Sequence, residues 1–301
     1  MNPLVRIDIC ICTFRRAHVA DTISSLARLE LRPEWKLRLI VADNDDMPSA
    51  RAIVDAAAAT AHIDLTYIHA PARNISIARN ACLDAATAPY VAFLDDDEIA
   101  SPQWLAAMME ELDKSGAGAV LGPVKAIYRP ECPTWLLKAD YHSLIPAAGN
   151  NQVVTGGTGN VLFRRAALGS LRFRKNLGRS GGEDTAFFRD LALRGCRVSL
   201  APNAIVTEAV SRERESFGWL VKRRFRSGQT HGLLLLESCG ANPSGRAKNA
   251  AISASKAAFC FVMAAVNALR GNRSRFWALR GALHAGATSR LLGRRELELY
   301  G

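Results

Sequence analysis

Four acidic residues in a row, Asp95 to Glu98, follow directly on an apolar run that ends at Leu94. Neighbouring carboxylates raise one another's pKa values, so such a cluster needs a positive counter-charge to stay ionised. A divalent cation with hard oxygen ligands, Mg²⁺ or Mn²⁺, supplies that charge and can be shared with phosphate oxygens. The alternative interpretation is a solvated acidic turn, stabilised by the dipole of the helix that follows.

The orientation of these acids follows from the geometry of an extended chain, whose successive side chains point to opposite faces. If the strand continues through the acids, Asp95 and Asp97 share one face and Asp96 lies on the other. One carboxylate of such a D-x-D pair could bind a ligand hydroxyl while the second binds a metal.

A second acidic pair, Glu183 and Asp184, follows two glycines in the segment "GGEDTAFFRDLALRG". The glycines allow the backbone to approach a ligand closely. Both acids fall in the first turn of a predicted helix, where capping of the helix is the alternative interpretation. Because two acids exceed what capping needs, one of them is a candidate general base that takes a proton from a hydroxyl.

Alternating strand and helix patterns position these residues. Apolar runs predict strands at 4–14, 36–44, 63–70 and 90–98, and helical spacing predicts helices at 17–30, 48–61, 75–87 and 101–112. The alternation predicts an α/β fold in which helices flank a parallel sheet. Ligands of such sheets bind beyond the carboxyl ends of the strands.

Polar side chains collect at the predicted strand ends. They are Thr13 and Arg15 after the first strand, Asp43 to Asp46 after the second, Arg73 and Asn74 after the third, and Asp95 to Glu98 after the fourth. Any single one of them could be an ordinary loop residue. Four strand ends that direct polar groups into one crevice predict a binding site.

The rest of the chain is less regular and then becomes helical. Further patterns predict a strand at 118–128, an irregular stretch at 129–157, a strand leading into a helix at 160–168, a helix at 181–195 and one or two strands within 197–210. Helices are predicted at 216–237, 249–269 and 273–292. We therefore expect a catalytic domain at 1–211 and a helical C-terminal region at 212–301.

The excess of positive over negative charge is confined to the C-terminal region. Residues 1–211 have balanced charges, whereas the last 90 residues contain 16 Lys and Arg against 5 Asp and Glu. The asymmetry indicates an anionic partner, either a membrane surface or a nucleic acid. Lys256 and several serines make 249–269 a poor membrane-spanning helix, so an in-plane basic amphipathic anchor is favoured over spanning, with plain packing as the alternative.

The cysteines and the N-terminus bear on the compartment. The chain has seven cysteines, and Cys10 and Cys12 are interpreted as two small buried residues on one strand face rather than as metal ligands. An odd, scattered set is typical of a reducing compartment. The N-terminal residues lack the layout of a signal peptide, so we expect a cytoplasmic protein.

Taken in order over residues 6–210, five motifs resemble the inverting family 2 glycosyltransferases, which have a GT-A-type fold with a mixed, mostly parallel sheet. They are "ICTFRR", "VADND", "ARNISIARN", "FLDDDE" and "GGEDTAFFRDLALRG". With "RERESFGWLVKRRFRSGQTHG" after the core, the chain is similar to bacterial exopolysaccharide glycosyltransferases of the succinoglycan type.

The resemblance implies a role for each matching residue. The nucleotide-sugar-binding residues would be Thr13, Arg15, Asp43, Asn44, Arg73, Arg79, Asp95 and Asp96, with Asp43 accepting from the imide N–H of the base. Asp97, with Asp95, would hold the Mg²⁺ or Mn²⁺ that bridges the two phosphates. Asp184 would be the general base, with Glu183 beside it. Glu208 stands where the family often has a histidine, which puts that metal or phosphate contact in doubt.

The resemblance also implies substrates and a location. The enzyme would be a metal-dependent hexosyltransferase that uses a UDP-sugar donor and a saccharide acceptor linked to polyprenyl diphosphate. The basic C-terminal region would hold it at the cytoplasmic face of the inner membrane.

Two other functions stay open at this point. One is a nucleic-acid-binding protein that uses the basic C-terminal region, although no DNA-binding motif and no interleaved aromatic residues accompany the arginines. The other is a metal-dependent phosphohydrolase with Asp95 as nucleophile, although such enzymes usually carry this motif on the first strand. His231 is interpreted as a phosphate contact or as a surface or packing residue, and "TGGTGN" at 155–160 as a ligand-binding loop or a turn.

Overall fold

The strands predicted in the first third of the chain form the centre of a sheet. A computed structural model, which describes residues 3–146, 148–149, 152–153 and 156–297, contains β1 Val5–Thr13, β2 Trp35–Asp43, β3 Asp64–His69 and β4 Tyr90–Asp95. The helices between them are α1 Val19–Leu26, α2 Arg51–Ala61 and α3 Ile75–Ala85. β1 pairs in parallel with β2 and β4, and β2 pairs in parallel with β3, which confirms the predicted parallel arrangement.

The later strands extend this sheet and add two smaller ones. The elements that follow are β5 Glu98–Ala100, α4 Trp104–Ser115, β6 Ala119–Leu121, β7 Val124–Ile127, α5 Thr134–Ala139, β8 Ala148–Gly149, β9 Gln152–Val153, β10 Asn160–Arg164, α6 Arg165–Leu168, α7 Glu183–Leu193, β11 Val198–Leu200 and β12 Val206–Ala209. The large sheet has the order β11-β6-β10-β4-β1-β2-β3, and β10 runs antiparallel to both of its neighbours. A three-stranded sheet has the order β5-β12-β7, and β8 pairs with β9.

The strand predicted at 118–128 divides into β6 and β7, which belong to different sheets. Two residues cause the break. A side chain at Gly122 would place its Cβ 2.2 Å from the Ala204 carbonyl oxygen, so only glycine fits there. Pro123 has no amide hydrogen and cannot continue the ladder.

The apolar core lies on both faces of the large sheet, as expected for strands covered by helices on either side. Along β1, Ile7, Ile9 and Ile11 belong to one buried cluster, while Cys10 and Cys12 belong to the other. All seven cysteines are free thiols. The two cysteines of β1 therefore pack as small buried side chains on one face, as predicted.

The structure divides into two units. The first comprises Met1–Ile127, His142–Gly178 and Glu183–Ala209, and the second comprises Tyr128–Tyr141, Arg179–Gly182 and Val210–Gly301. The second unit contains the three predicted helices, α8 Phe217–Cys239, α9 Pro243–Val266 and α10 Asn272–Leu291, and both α8 and α9 pack on α10. The division into a catalytic domain at 1–211 and a basic helical region at 212–301 remains a prediction.

A buried carboxylate near the start of β1 ties three elements together. Asp8 is 2% exposed and accepts two hydrogen bonds of 2.8 Å from the Arg38 guanidinium. The Thr87 and Ala88 amides also donate to Asp8, at 2.7 and 2.8 Å. Burial raises the pKa of Asp8, but the hydrogen bonds from Arg38 and the two amides outweigh it, so the pKa lies below its ordinary value.

We expect Asp8→Asn to lower the free energy of unfolding by about 2–3 kcal/mol, because it leaves a partly buried guanidinium without its charge partner. The stabilisation by Asp8 is complete above the ordinary Asp pKa and is lost as pH falls through the lower folded value. Urea unfolding at neutral and acid pH measures both effects. Asp64→Asn is the matched control, because Asp64 pairs with Lys36 at 3.3 Å but is 64% exposed. Equal losses for the two variants would contradict this role.

Candidate active site

The acidic run at the end of β4 does not continue as a strand. β4 ends at Asp95, residues 96 and 97 form a turn, and β5 begins at Glu98 in the three-stranded sheet. The expected alternation of Asp95, Asp96 and Asp97 therefore stops at Asp95. The predicted metal ligands Asp95 and Asp97 lie on a strand end and in a turn, respectively.

Arg16 is the cation that binds the turn, and the sequence did not single it out. Its Nη1 donates to Asp96 Oδ1 at 3.1 Å and also to Asp97 Oδ2. Thr13 Oγ1, a predicted site residue, donates to Asp96 Oδ2 at 2.8 Å. Burial raises the pKa of Asp96 to about 6, against the lowering effect of Arg16 and Thr13. Its neighbour Arg15, which the sequence did single out, has a φ of +55° in the left-handed region and pairs with Asp45 instead.

Arg79 connects the acidic turn with the second acidic pair. Its Nη1 donates to Glu183 Oε1 at 2.7 Å and to Asp184 Oδ1 at 2.6 Å, and its Nη2 lies 3.4 Å from Asp95 Oδ1. Its side chain is only 6% exposed. One buried guanidinium on α3 thus holds the end of β4 and the first turn of α7 together. The contact of Arg79 with a nucleotide sugar stays a prediction.

Asp184 is held from two sides. Besides its bond with Arg79, it accepts at Oδ1 from Thr158 Oγ1 at 2.6 Å and at Oδ2 from the Thr158 amide at 3.3 Å. The hydrogen bonds that the structure gives this carboxylate run to other elements rather than to amides of its own helix. With a side chain 25% exposed, Asp184 is oriented and still accessible.

Its neighbour Glu183 is buried, and its Oε2 atom has no hydrogen-bond partner among the residues that the structure describes. Burial and the charge of Asp184 raise the pKa of Glu183. Glu183 therefore lies deeper in the site than Asp184.

The loop before β10 fits tightly between the two acidic motifs. A Cβ at Gly159 would lie 2.6 Å from Glu98 Oε1 and 2.8 Å from Asp95 Oδ2, so a side chain there would push these carboxylates away. Thr158 is fully buried. The segment "TGGTGN" is thus part of the site, except that Thr155 lies outside the described residues. Its glycines and threonines were the available sequence signal.

At the end of β2, the predicted residues Asp43 and Asn44 are buried, and both accept hydrogen bonds from backbone amides of nearby loops. Asp43 has no exposed surface and accepts from Tyr67 Oη at 2.6 Å and from the amides of Ala50 and Asp45 at 2.8 and 3.0 Å. Asn44 Oδ1 accepts from the Asn74 amide at 3.0 Å. The contact of Asp43 with a nucleotide base remains a prediction.

The predicted arginines of this edge lie at the surface. Arg15 donates to Asp45 Oδ1 at 2.9 Å, and this hydrogen bond helps to lower the pKa of Asp45 to about 2. Arg73 pairs with Asp46. Both arginines have positive φ angles, +55° and +46°, which is uncommon outside glycine and often accompanies functional sites.

Glu208, the departure from the family pattern, lies in β12 directly across from Glu98 in β5. Burial, followed by the charge of Asp95, raises the pKa of Glu98 well above its ordinary value. Position 208 therefore borders the acidic turn. His231 is exposed on α8.

The chemistry of the site fits a divalent cation. Among the described residues, the site contains six carboxylates, and the guanidinium groups that pair with them are those of Arg16 and Arg79. The carboxylates are those of Asp95 to Glu98, Glu183 and Asp184. Partial burial of a side chain that is 45% exposed, together with the charges of Asp97, Asp184 and Asp96, raises the pKa of Asp95 to about 7, although Arg79 opposes this. In the described ranges, no three Asp, Glu, His or Cys side chains converge as a complete ligand set.

Comparison with known proteins gives concordant matches. A model of the family described as "Glycosyl transferase family 2" matches residues 8–172. The chain is 47% identical over 305 residues to the "Succinoglycan biosynthesis protein ExoM" of Rhizobium meliloti (strain 1021), with all of this chain and 97% of that protein covered.

Two solved structures share the fold. The mannosyltransferase PcManGT from Pyrobaculum calidifontis, in complex with GDP-Man and Mn²⁺, has a TM-score of 0.66 at 20% identity, covering 98% of this chain and 89% of that one. S. aureus TarS 1–349, in complex with UDP-GlcNAc, has a TM-score of 0.54 at 13% identity, covering 96% and 93%. The chain spans 44% of a longer TarS chain.

Proposed function

Because the chain belongs to glycosyl transferase family 2, we propose that it transfers a sugar from a nucleoside-diphosphate donor to a saccharide acceptor, with inversion at the anomeric carbon. The donor we propose is a UDP-sugar. The observation that carries the proposal is the bonding of Arg79 to both Asp95 and Asp184. These bonds keep the proposed metal ligand Asp95 and the proposed base Asp184 close together.

Asp184 acts as the general base in this proposal. Its carboxylate takes the proton of the acceptor hydroxyl while that oxygen forms a bond with the anomeric carbon of the donor sugar. The bond between this carbon and the diphosphate oxygen breaks at the same time, and attack from the opposite face inverts the configuration. Arg79 and Thr158 hold the carboxylate in one orientation, which is what proton transfer in a single displacement requires.

Asp95 and Asp97 are the residues proposed to hold Mg²⁺ or Mn²⁺, which when bound neutralises the charge that grows on the leaving diphosphate. The excess of carboxylates over guanidinium groups supports this assignment. Arg16 keeps Asp96 and Asp97 in place through ion pairs. Thr13, Arg15, Asp43, Asn44, Arg73, Arg79, Asp95 and Asp96 remain the proposed nucleotide-sugar-binding residues.

The proposed acceptor is a saccharide linked to polyprenyl diphosphate at the cytoplasmic face of the inner membrane. The relative that is 47% identical over the whole chain is named for succinoglycan biosynthesis, and exopolysaccharide assembly is accordingly the proposed process. The basic C-terminal region supports a membrane location, because cationic segments bind anionic lipid surfaces. Family membership favours transfer over the phosphohydrolase and nucleic-acid-binding alternatives.

A thermal-shift panel tests the donor and the metal together. The full chain is heated with a UDP-sugar or GDP-mannose, each with and without Mn²⁺. We expect the UDP-sugar with Mn²⁺ to give the largest rise in melting temperature, since a ligand at 100 times its Kd stabilises a protein by about 2.7 kcal/mol. A larger rise with GDP-mannose would overturn the choice of base, and no rise with any nucleotide sugar would overturn the proposed donor site.

A further inference from the structure

Helix α9 uses one face for packing within the second unit. Its buried residues recur every three or four positions, as expected for a helix with a single packed face, and they are Ala250, Ser253, Ala257 and Cys260. The face packs on α10 and α8. The remaining surface of α9 is exposed.

The exposed surface of α9 differs between its two halves. The first half presents polar and basic side chains, among them Lys248, Ser255 and Lys256. The second half and the short turn after it present large apolar side chains that range from about half to fully exposed: Phe259 57%, Phe261 46%, Val262 60%, Val266 73% and Leu269 101%. No charged residue occurs between Lys256 and Arg270.

Cations border this apolar surface. Between Pro243 and Arg295 the sequence has ten Lys and Arg residues and no Asp or Glu. Lys256, Arg270, Arg273 and Arg280 are exposed. Exposed apolar side chains grouped in this way mark interaction surfaces, and bordering cations without acids in the same segment indicate that the partner is anionic as well as apolar.

We propose that residues 258–276, the hairpin tip between α9 and α10, insert into the interface of an anionic lipid bilayer. Phe259, Val262, Val266 and Leu269 enter the boundary between headgroups and acyl chains, and the flanking Lys and Arg side chains bind lipid phosphates. This inference rests on the proposed membrane location and names the surface and the lipid chemistry responsible for it.

The structure favours shallow insertion over spanning. By length and composition, Pro243–Val266 is a helix that could cross a membrane. A spanning α9 would carry Lys256 into the hydrocarbon and would abandon the packing of buried residues such as Ala257 and Cys260 against the other helices. Insertion of the tip leaves that packing intact.

Vesicle sedimentation with the full chain tests the proposal. We expect binding to phosphatidylglycerol–phosphatidylcholine vesicles and at least about 10-fold weaker partitioning for Val262→Asn/Val266→Asn, since both changes put an amide in the apolar boundary. Arg270→Gln/Arg273→Gln should lose the preference for anionic over pure phosphatidylcholine vesicles. Leu193→Asn is the matched control, because Leu193 is 75% exposed on α7 and should bind like the unaltered chain.

Fluorescence locates the contact. The Trp277 ring lies 5.7 Å from Phe259 and 5.5 Å from Phe276. Brominated lipids should quench the unaltered chain, and Trp277→Phe should remove most of that quenching. Quenching that persists in Trp277→Phe would overturn the assignment of the tip.

Two further results would also overturn it: unchanged partitioning of Val262→Asn/Val266→Asn, or tighter binding of duplex DNA than of anionic vesicles. The donor thermal shift of each variant separates the two proposals. A variant that loses vesicle binding but keeps the UDP-sugar shift supports the tip while leaving the donor site intact. If vesicle binding depends on the tip and no nucleotide sugar stabilises the chain, only the proposed enzymatic function fails.

Discussion

Asp184→Asn is expected to lower kcat for sugar transfer by about 10²–10⁴-fold, the usual contribution of a general base. The amide keeps the shape of the carboxylate, and its oxygen can still accept from Arg79 Nη1 and Thr158 Oγ1, although the bond that the Thr158 amide donates to Oδ2 is lost. Arg79 keeps its ion pairs with Glu183 and Asp95, so the site should stay assembled. It cannot take the proton of the acceptor hydroxyl. Donor binding should therefore persist, and the UDP-sugar thermal shift should match that of the unaltered chain.

The control for this change is Asp190→Asn in the same helix. Asp190 also pairs with an arginine, Arg174, at 2.7 Å, but it is no part of the acidic site. We expect transfer by this variant to be unchanged. If Asp184→Asn weakens UDP-sugar binding as much as it lowers turnover, Asp184 is a donor ligand and the base must be sought elsewhere.

Asp97→Asn is expected to lower kcat/KM by about 10²-fold or more, because charge stabilisation of a leaving group by a bound metal amounts to several kcal/mol. The metal-dependent part of the donor thermal shift should disappear, whereas any shift without Mn²⁺ should remain. This split distinguishes loss of a metal ligand from loss of a nucleotide contact. Calorimetric titration with Mn²⁺ in the presence of UDP gives the same information directly.

The ion pair of Asp97 with Arg16 requires a matched control. Asp113→Asn breaks a comparable pair, with Arg164 at 3.0 Å, on the exposed end of α4. It should change neither the Mn²⁺ dependence nor the rate. An Asp97→Asn enzyme that keeps its full dependence on Mn²⁺ would remove Asp97 from the metal site.

Sequence patterns predicted the strands and helices that carry the site, because each such pattern lies within one short segment of the chain. Apolar runs and helical spacing up to residue 112 predicted β1 to β4 and the helices between them, and the ends of the predicted strands indicated Thr13, Asp43 and Asp95 as site residues. The approximate positions of the three C-terminal helices followed in the same way.

Contacts between residues that are far apart in the sequence could not be predicted. Arg79 meets Asp184 across 105 positions, and Arg16 meets Asp96 across 80. The spacing of residues within one helix or strand does not predict such pairs, because they form only when whole elements pack against each other. The turn at 96 and 97 was also missed, because an acidic run carries no signal that separates a strand from a turn.

The shared guanidinium of Arg79 has a consequence for protein engineering. A designer who replaces an acid at the end of β4, to change the cation or the donor, also alters the set of charges around Arg79 and hence the position of Asp184. The two acidic motifs should therefore be varied together. A library that varies only one of them leaves the other with charges that no longer balance Arg79. Position 79 should be randomised together with both motifs.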